Sequence, residues 1–166
     1  MAETVQGFSI KIEITNRITG DNGTEQRVSY SKTYNFSNGT GANQLGNQFN
    51  DVTRALNTTS EDLDFGAGGL TDFQAADLVL NNIKVLMVEN LDTDTGDTFL
   101  LKQGGANPIT TILGGSSPTL TIGPGGFLLL VNPIDGYTVA DNSADRLAMQ
   151  ATDNSTYRLL VAGDNA

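Results

Sequence analysis

The chain has 166 residues, with 9 Lys and Arg against 19 Asp and Glu, a net charge of −10 at neutral pH, and no Cys or His. That length favours one domain spanning 1–166, and 38% hydrophobic residues together with 19 Gly make up the apolar share of a folded chain. The missing Cys and His exclude disulfides, zinc–thiolate sites, cysteine nucleophiles and every Ser-His-Asp triad.

In chain order, the first signal is an alternation. Phe8, Ile10, Ile12 and Ile14 are interleaved with Ser9, Lys11, Glu13 and Thr15, which places the apolar set on one face of a strand. Thr19-Gly20-Asp21-Asn22-Gly23 supplies the residues that tolerate positive φ in a hairpin reversal. Val28, Tyr30, Tyr34 and Phe36 then share one parity, with Lys32 between them. Residues 8–36 are read as a long, half-solvated hairpin that packs on its own domain or reaches a neighbouring subunit as an arm. Between Ser37 and Ser60, the spacing of Leu45, Phe49, Val52 and Leu56 fits an amphipathic helix of two to three turns. Gly46, Asn47, Asn50, Asp51 and Thr53 are poor helix formers, and the alternative is an irregular loop with buried anchors.

From Glu61 onward the signal is β. Strands are predicted at Leu63–Phe65, Ala76–Leu80, Ile83–Asn90, Thr98–Lys102, Thr110–Leu113, Thr119–Ile122, Phe127–Val131, Tyr137–Val139, Arg146–Gln150 and Thr156–Ala162, with Gly, Pro, Asn or Asp between them. Ile83-Lys84-Val85-Leu86-Met87-Val88 is apolar on both parities, so that strand is expected to be covered on both faces. Many short strands with regular turn signals predict an all-β antiparallel sandwich or jelly roll over 61–166, with the hairpin appended and at most one short helix.

Few residues offer chemistry. Asp92, Asp94 and Asp97 around Gly96 resemble a calcium loop, but counting from Asp92 puts Asp97 where the EF-hand needs Gly and Gln103 where it needs Glu. A solvated turn explains them better. Gly104-Gly105, Gly114-Gly115 and Gly123-Pro124-Gly125-Gly126 lack the Lys-Ser/Thr and following helix of a phosphate loop, so they are read as turns. Glu61, Asp62, Asp64, Asp72 and Asp77 are the remaining catalytic possibility, because a glycosidase needs two carboxylates. With no Trp, a sugar-stacking platform is thin, and Tyr30, Tyr34 and Phe36 are the candidates for an aromatic row. Their shared parity is more simply a buried face. No catalytic, cofactor or metal residue is assigned.

The nine basic residues are scattered, which leaves no basic tract for nucleic acid or anionic lipid. Met-Ala-Glu-Thr-Val-Gln-Gly has no basic n-region and no apolar h-region, so no secretory signal is expected. The longest apolar run, Phe127 to Val131, falls far short of the ~20 residues of a membrane helix. A soluble product is therefore expected. The Asn-x-Ser/Thr sequons at Asn22, Asn35, Asn38, Asn57 and Asn154 are read as chance in a chain so rich in Asn, Ser and Thr.

From Asn81 to Ala166 a larger pattern is present. A strand ends in Val88-Glu89-Asn90 before a hairpin and a Gly-rich loop. Pro124-Gly125-Gly126 then leads into Phe127-Leu128-Leu129-Leu130, followed by Gly136-Tyr137-Thr138-Val139, Ala144-Asp145-Arg146-Leu147 and a last strand ending near Gly163. This half of the chain resembles the C-terminal β-sandwich of small virion proteins of tailed bacteriophages. Glu61-Asp62-Leu63-Asp64-Phe65 and Gly69-Leu70-Thr71-Asp72 fit the same pattern weakly. The resemblance implies a virion protein assembled in the bacterial cytoplasm, above all a capsid decoration or cement protein, with the major capsid protein as partner and a homotrimer as its state. The other readings are a tail tube, neck, head-fibre or baseplate component, or a carbohydrate-binding module.

Overall fold

A computed structural model of the chain describes residues 7–57, 60–66, 69–71, 76–114 and 118–165. Among these residues the strands are β1 (Phe8–Thr19), β2 (Glu25–Asn38), β3 (Gln44–Leu45), β4 (Asn47–Asn57), β5 (Ser60–Asp64), β6 (Asn82–Asn90), β7 (Phe99–Gln103), β8 (Thr119–Ile122), β9 (Phe127–Val131), β10 (Tyr137–Thr138), β11 (Arg146–Ala151) and β12 (Asn154–Asp164), with one helix, α1 (Thr110–Leu113). A five-stranded sheet runs β10-β6-β12-β4, with β9 also paired to β6, and a four-stranded sheet runs β5-β11-β7-β8. The two sheets form the expected sandwich.

The interior between them is apolar because each strand turns alternate side chains inward. Leu86, Val88, Leu159 and Val161 from the five-stranded sheet meet Leu63, Phe99, Leu101, Leu147 and Met149 from the other. The Phe99 and Tyr157 rings lie 4.7 Å apart between the layers. Consecutive strands mostly change sheet, β4 to β5, β5 to β6, β6 to β7, β8 to β9, β10 to β11 and β11 to β12. The segment after Asn90 is therefore a crossing from one sheet to the other, where a simple hairpin was anticipated. Gly123–Gly126 is another such crossing, with Gly126 N–H donating to Gly123 O at 2.9 Å and Gly125 at φ +66°.

A second, smaller cluster lies on the outer face of the five-stranded sheet. Phe36, Leu45, Val85 and Ala162 are buried there, with Phe8, Ile10, Tyr34, Leu129, Val131 and Leu160 packed around them. The root of the β1–β2 hairpin thus covers the back of β6, which accounts for the two-sided apolar pattern of Ile83–Val88. Phe8 and Phe36 meet edge to face at 5.8 Å. Lys84 breaks the apolar pattern and is 1% exposed. A register shift between Ala162 and Gly163 pairs them with Val85 and Ile83, leaving Lys84 as the extra residue of a β-bulge. Its Nζ pairs with Asp164 Oδ2 at 3.1 Å and donates to the carbonyls of Gly41 at 2.5 Å and Gln44 at 3.0 Å. Asn82 Nδ2 donates to Asp164 Oδ1 at 3.0 Å. At the same place β12 and β6 approach so closely that a Cβ on Gly163 would lie 1.9 Å from Asn82 O.

Three local expectations are corrected. Residues 45–56 form no helix: β4 is an edge strand antiparallel to β12 with a bulge opposite Arg158. The bulge lets Phe49 and Leu56, an odd number of positions apart, both face the interior core, while Leu45 sits in the outer cluster. Val52 is exposed, so three different environments produced a helical spacing. Thr110–Leu113 is a single helical turn, because it must reverse the chain between the antiparallel neighbours β7 and β8. Gly114 at φ +66° ends it, its N–H donating to Thr110 O. Ala76–Leu80 alternates as predicted, with Leu78 and Leu80 buried and Val79 exposed. Among the described residues it joins no ladder; Leu78 N–H donates to Leu70 O and Leu80 N–H to Phe65 O.

Removing one member of a buried ion pair leaves an uncompensated charge. Lys84→Met is expected to cost about 3 kcal/mol of unfolding free energy in urea titrations, and Lys84→Met with Asp164→Leu is expected to recover most of it.

Candidate functional site

The most distinctive surface is the arm. β1 and β2 pair in unbroken register from Phe8↔Phe36 to Thr19↔Glu25, so residues directly opposite share a face. One face carries Phe8, Ile10, Ile12, Ile14 and Ile18 beside Phe36, Tyr34, Tyr30 and Val28, interrupted by Lys32, Asn16 and Gln26, and the other carries Ser, Thr, Asn, Lys, Arg and Glu. The turn closes as predicted, with Gly20 N–H donating to Thr24 O at 2.8 Å, Asn22 Oδ1 accepting from Thr24 N–H at 3.1 Å, and Gly23 at φ +77°. Glu25 pairs with both Arg17 and Arg27, which face each other across the ribbon.

The apolar face is half used. Its root, Phe8, Ile10, Tyr34 and Phe36, lies on the sandwich, and Ile12 borders a hollow shared with Phe127 and Leu129. Beyond that point every residue from Glu13 through Thr33 is exposed. Ile14 is 56% exposed, Ile18 50%, Val28 47% and Tyr30 50%. At the antiparallel rise per residue, the strand from Glu13 to Thr19 carries this face on for about 24 Å. The single parity of Val28, Tyr30, Tyr34 and Phe36 is therefore a buried face at the root and an open one at the tip.

The aromatic row needed by a sugar platform does not form. Phe36 is buried, Tyr34 packs on the outer cluster with Lys32 Nζ 5.4 Å from its ring centre, and Tyr30 stands alone further out.

The candidate acids are engaged in structure. Glu61 turns inward and pairs with Arg54, and Tyr157 Oη donates to Glu61 Oε2 at 2.9 Å. Burial first, then the charge of Glu61, pushes the Tyr157 phenol above its ordinary value; the hydrogen bond to Glu61 raises Arg54 above its own. Asp64 accepts from Gly66 N–H at 3.0 Å and pairs with Arg146 at 3.1 Å, and Asp62 accepts from Gly105 N–H at 3.4 Å. Asp77 is exposed and, among the described residues, only its backbone is paired, in a bridge to Thr71; Asp72 lies outside the described residues. Glu61 and Asp62 are successive strand residues, so they point to opposite faces.

Asp92, Asp94 and Asp97 build the crossing after β6. Asp92 Oδ1 accepts from Thr156 N–H at 3.1 Å, and Asp97 N–H donates to Asp94 O at 3.2 Å. Asn90, which the sequence pattern marked as the end of its strand, holds this crossing from within. It is fully buried, its Nδ2 donates to Asp97 O and Ile122 O, and its Oδ1 accepts from Asp92 N–H. Among the described residues, no three acids are arranged to hold a metal ion. Partial burial, followed by repulsion from Asp153, Asp92 and Asp94, pushes the Asp97 carboxyl above the usual carboxylate value of 3.8. A carboxyl raised on folding opposes stability while ionised and stops doing so once protonated.

Sequence reasoning missed how far the arm stands clear of the body, and it missed the charge contrast between them. Residues 8–38 hold four basic and three acidic residues, net +1, whereas residues 39–166 hold five basic and fifteen acidic, net −10. That division was countable from the sequence once the hairpin boundary was known.

Two outcomes follow for stability. Phe36→Ala is expected to cost about 3 kcal/mol or more, and Tyr30→Ser less than ~0.5 kcal/mol, both read from urea midpoints of the dilute chain. Asp97→Asn is expected to raise the melting temperature at pH 7, with the gain vanishing as pH falls below the ordinary carboxylate value. Compared with protein-family models, curated proteins and solved structures, the chain matches none.

Proposed function

We propose that the chain is a structural subunit of a tailed-bacteriophage particle, a capsid decoration protein that binds between capsid subunits, and that it is not an enzyme. The observation that supports this reading is the arm: an apolar ribbon face, built on a sandwich and left open along its distal half. A two-stranded ribbon is marginal alone in water, and its free strand edges suit pairing with another chain. A catalytic site instead gathers polar groups into a concave pocket, and Glu61 and Asp64 are spent on Arg54 and Arg146. The likeness of Asn81–Ala166 to virion sandwiches supplies the kind of assembly, with the capsid shell as partner and a homotrimer at its local three-fold positions. The acidic body suits a subunit that must remain dissolved at high copy number before it docks.

Purified chain mixed with expanded capsids is expected to pellet with them to a saturating stoichiometry, and not to bind free capsid protein. No cosedimentation at micromolar chain overturns the decoration reading, and rings or tubes of the isolated chain in electron micrographs would replace it with a tail-tube role.

A further inference from the structure

We propose that the distal arm docks on the body of a second copy of this chain, with the apolar face of Ile14, Ile18, Val28 and Tyr30 lying against the ledge formed by Phe127. Three observations select that occupant. First, the arm is net +1 and the body net −10. Two bodies repel, two arms have no charge complement, and an arm on a foreign body is the pairing that attraction favours. Second, Phe127 is 68% exposed, the highest value among the exposed large apolar residues. It opens β9, which pairs with β6 alone among the described residues and leaves its other edge free. Third, the surface is continuous: the arm's own Ile12 borders Phe127 and Leu129, and the unoccupied face starts with the next inward-parity residue, Ile14. A neighbour's arm set on this ledge would fill a hollow that Ile12, Phe127 and Leu129 already border, with Lys11 and Glu13 at its rim.

The contact is head to tail, since an arm tip meets a body. Such interfaces close into rings when the rotation permits and otherwise run on as open chains. Salt should weaken the assembly, because screening acts on the arm-to-body attraction. The inference stands on the arm's geometry and charge, so it holds or fails apart from capsid binding: a monomer that cosediments with capsids would overturn this inference and the preformed trimer, and leave the decoration reading standing.

The test is sedimentation velocity of the full chain, with the melting temperature of each variant confirming a folded body. The natural chain is expected to sediment as an oligomer at micromolar concentration and to dissociate as salt rises. Ile14→Asp and Tyr30→Asp are each expected to lower the apparent affinity at least tenfold. Thr15→Asn, which changes the polar face and leaves the arm's charge as it is, is expected to leave the assembly at its natural mass. Because the chain has no Cys, Tyr30→Cys and Phe127→Cys made in separate copies report the contact directly. Mild oxidation of the mixture is expected to give a cross-linked dimer that neither variant gives alone. A natural chain that stays monomeric, or Tyr30→Asp assembling as well as the natural chain, overturns the proposal. Cross-linking of Tyr30→Cys to itself also overturns it, in favour of arms paired face to face.

Discussion

The ammonium group of Lys84 is the point on which the architecture turns. It sits inside the protein between the back of the five-stranded sheet and the loop that follows the hairpin, where it meets Asp164 and the carbonyls of Gly41 and Gln44. A charge so buried is tolerable only with its partners in place, so the loop cannot leave the sheet without stranding it. The loop in turn ends the hairpin: Ser37 N–H donates to Asn43 O and Gly39 N–H to Leu45 O. One buried cation therefore sets where the arm is rooted.

That root makes the arm a lever with a fixed base. Phe8, Ile10, Tyr34 and Phe36 are held against Val85, Val131 and Ala162, and the unbroken β1–β2 register carries the same face outward without a bulge. The apolar stripe is buried at one end and open at the other, with the change falling near Ile12 and Phe127. Hydrophobic burial stabilises the root in the single chain, whereas the tip gains nothing until another surface covers it. The contrast lies chiefly in what surrounds the residues, since Ile14, Ile18, Val28 and Tyr30 carry apolar side chains as the root does, with Asn16 and Gln26 set among them.

Much of this was legible in the sequence. The strands from Asn82 onward follow the alternation of apolar residues and the turn residues between them, and the hairpin was visible in the isoleucine alternation and the Gly-Asp-Asn-Gly reversal. The sequence concealed whatever depends on a single inserted residue or on tertiary placement. The bulge in β4 shifted the parity of Phe49 and Leu56 and gave a strand the spacing of a helix. The bulge at Lys84 hid a buried ion pair inside a run that looked uniformly covered. The acids between Glu61 and Asp77 looked like a shared site because they are near in sequence, yet alternation along β5 and the partners Arg54 and Arg146 separate them. No local signal marks where a hairpin stops touching its own body, so the open tip could not be read before the fold was known.

The placement of β12 has a consequence for how the chain is made. Residues Asn154–Asp164 lie between β4 and β6, and each of those strands depends on β12 to join the same sheet. A ribosome emitting this chain therefore produces two flanking strands long before the one that joins them. The hairpin is local and can zip early, but the layers cannot close until that segment has cleared the exit tunnel. Such long-range pairing is slow to form, and greasy strand edges stay uncovered until β12 arrives.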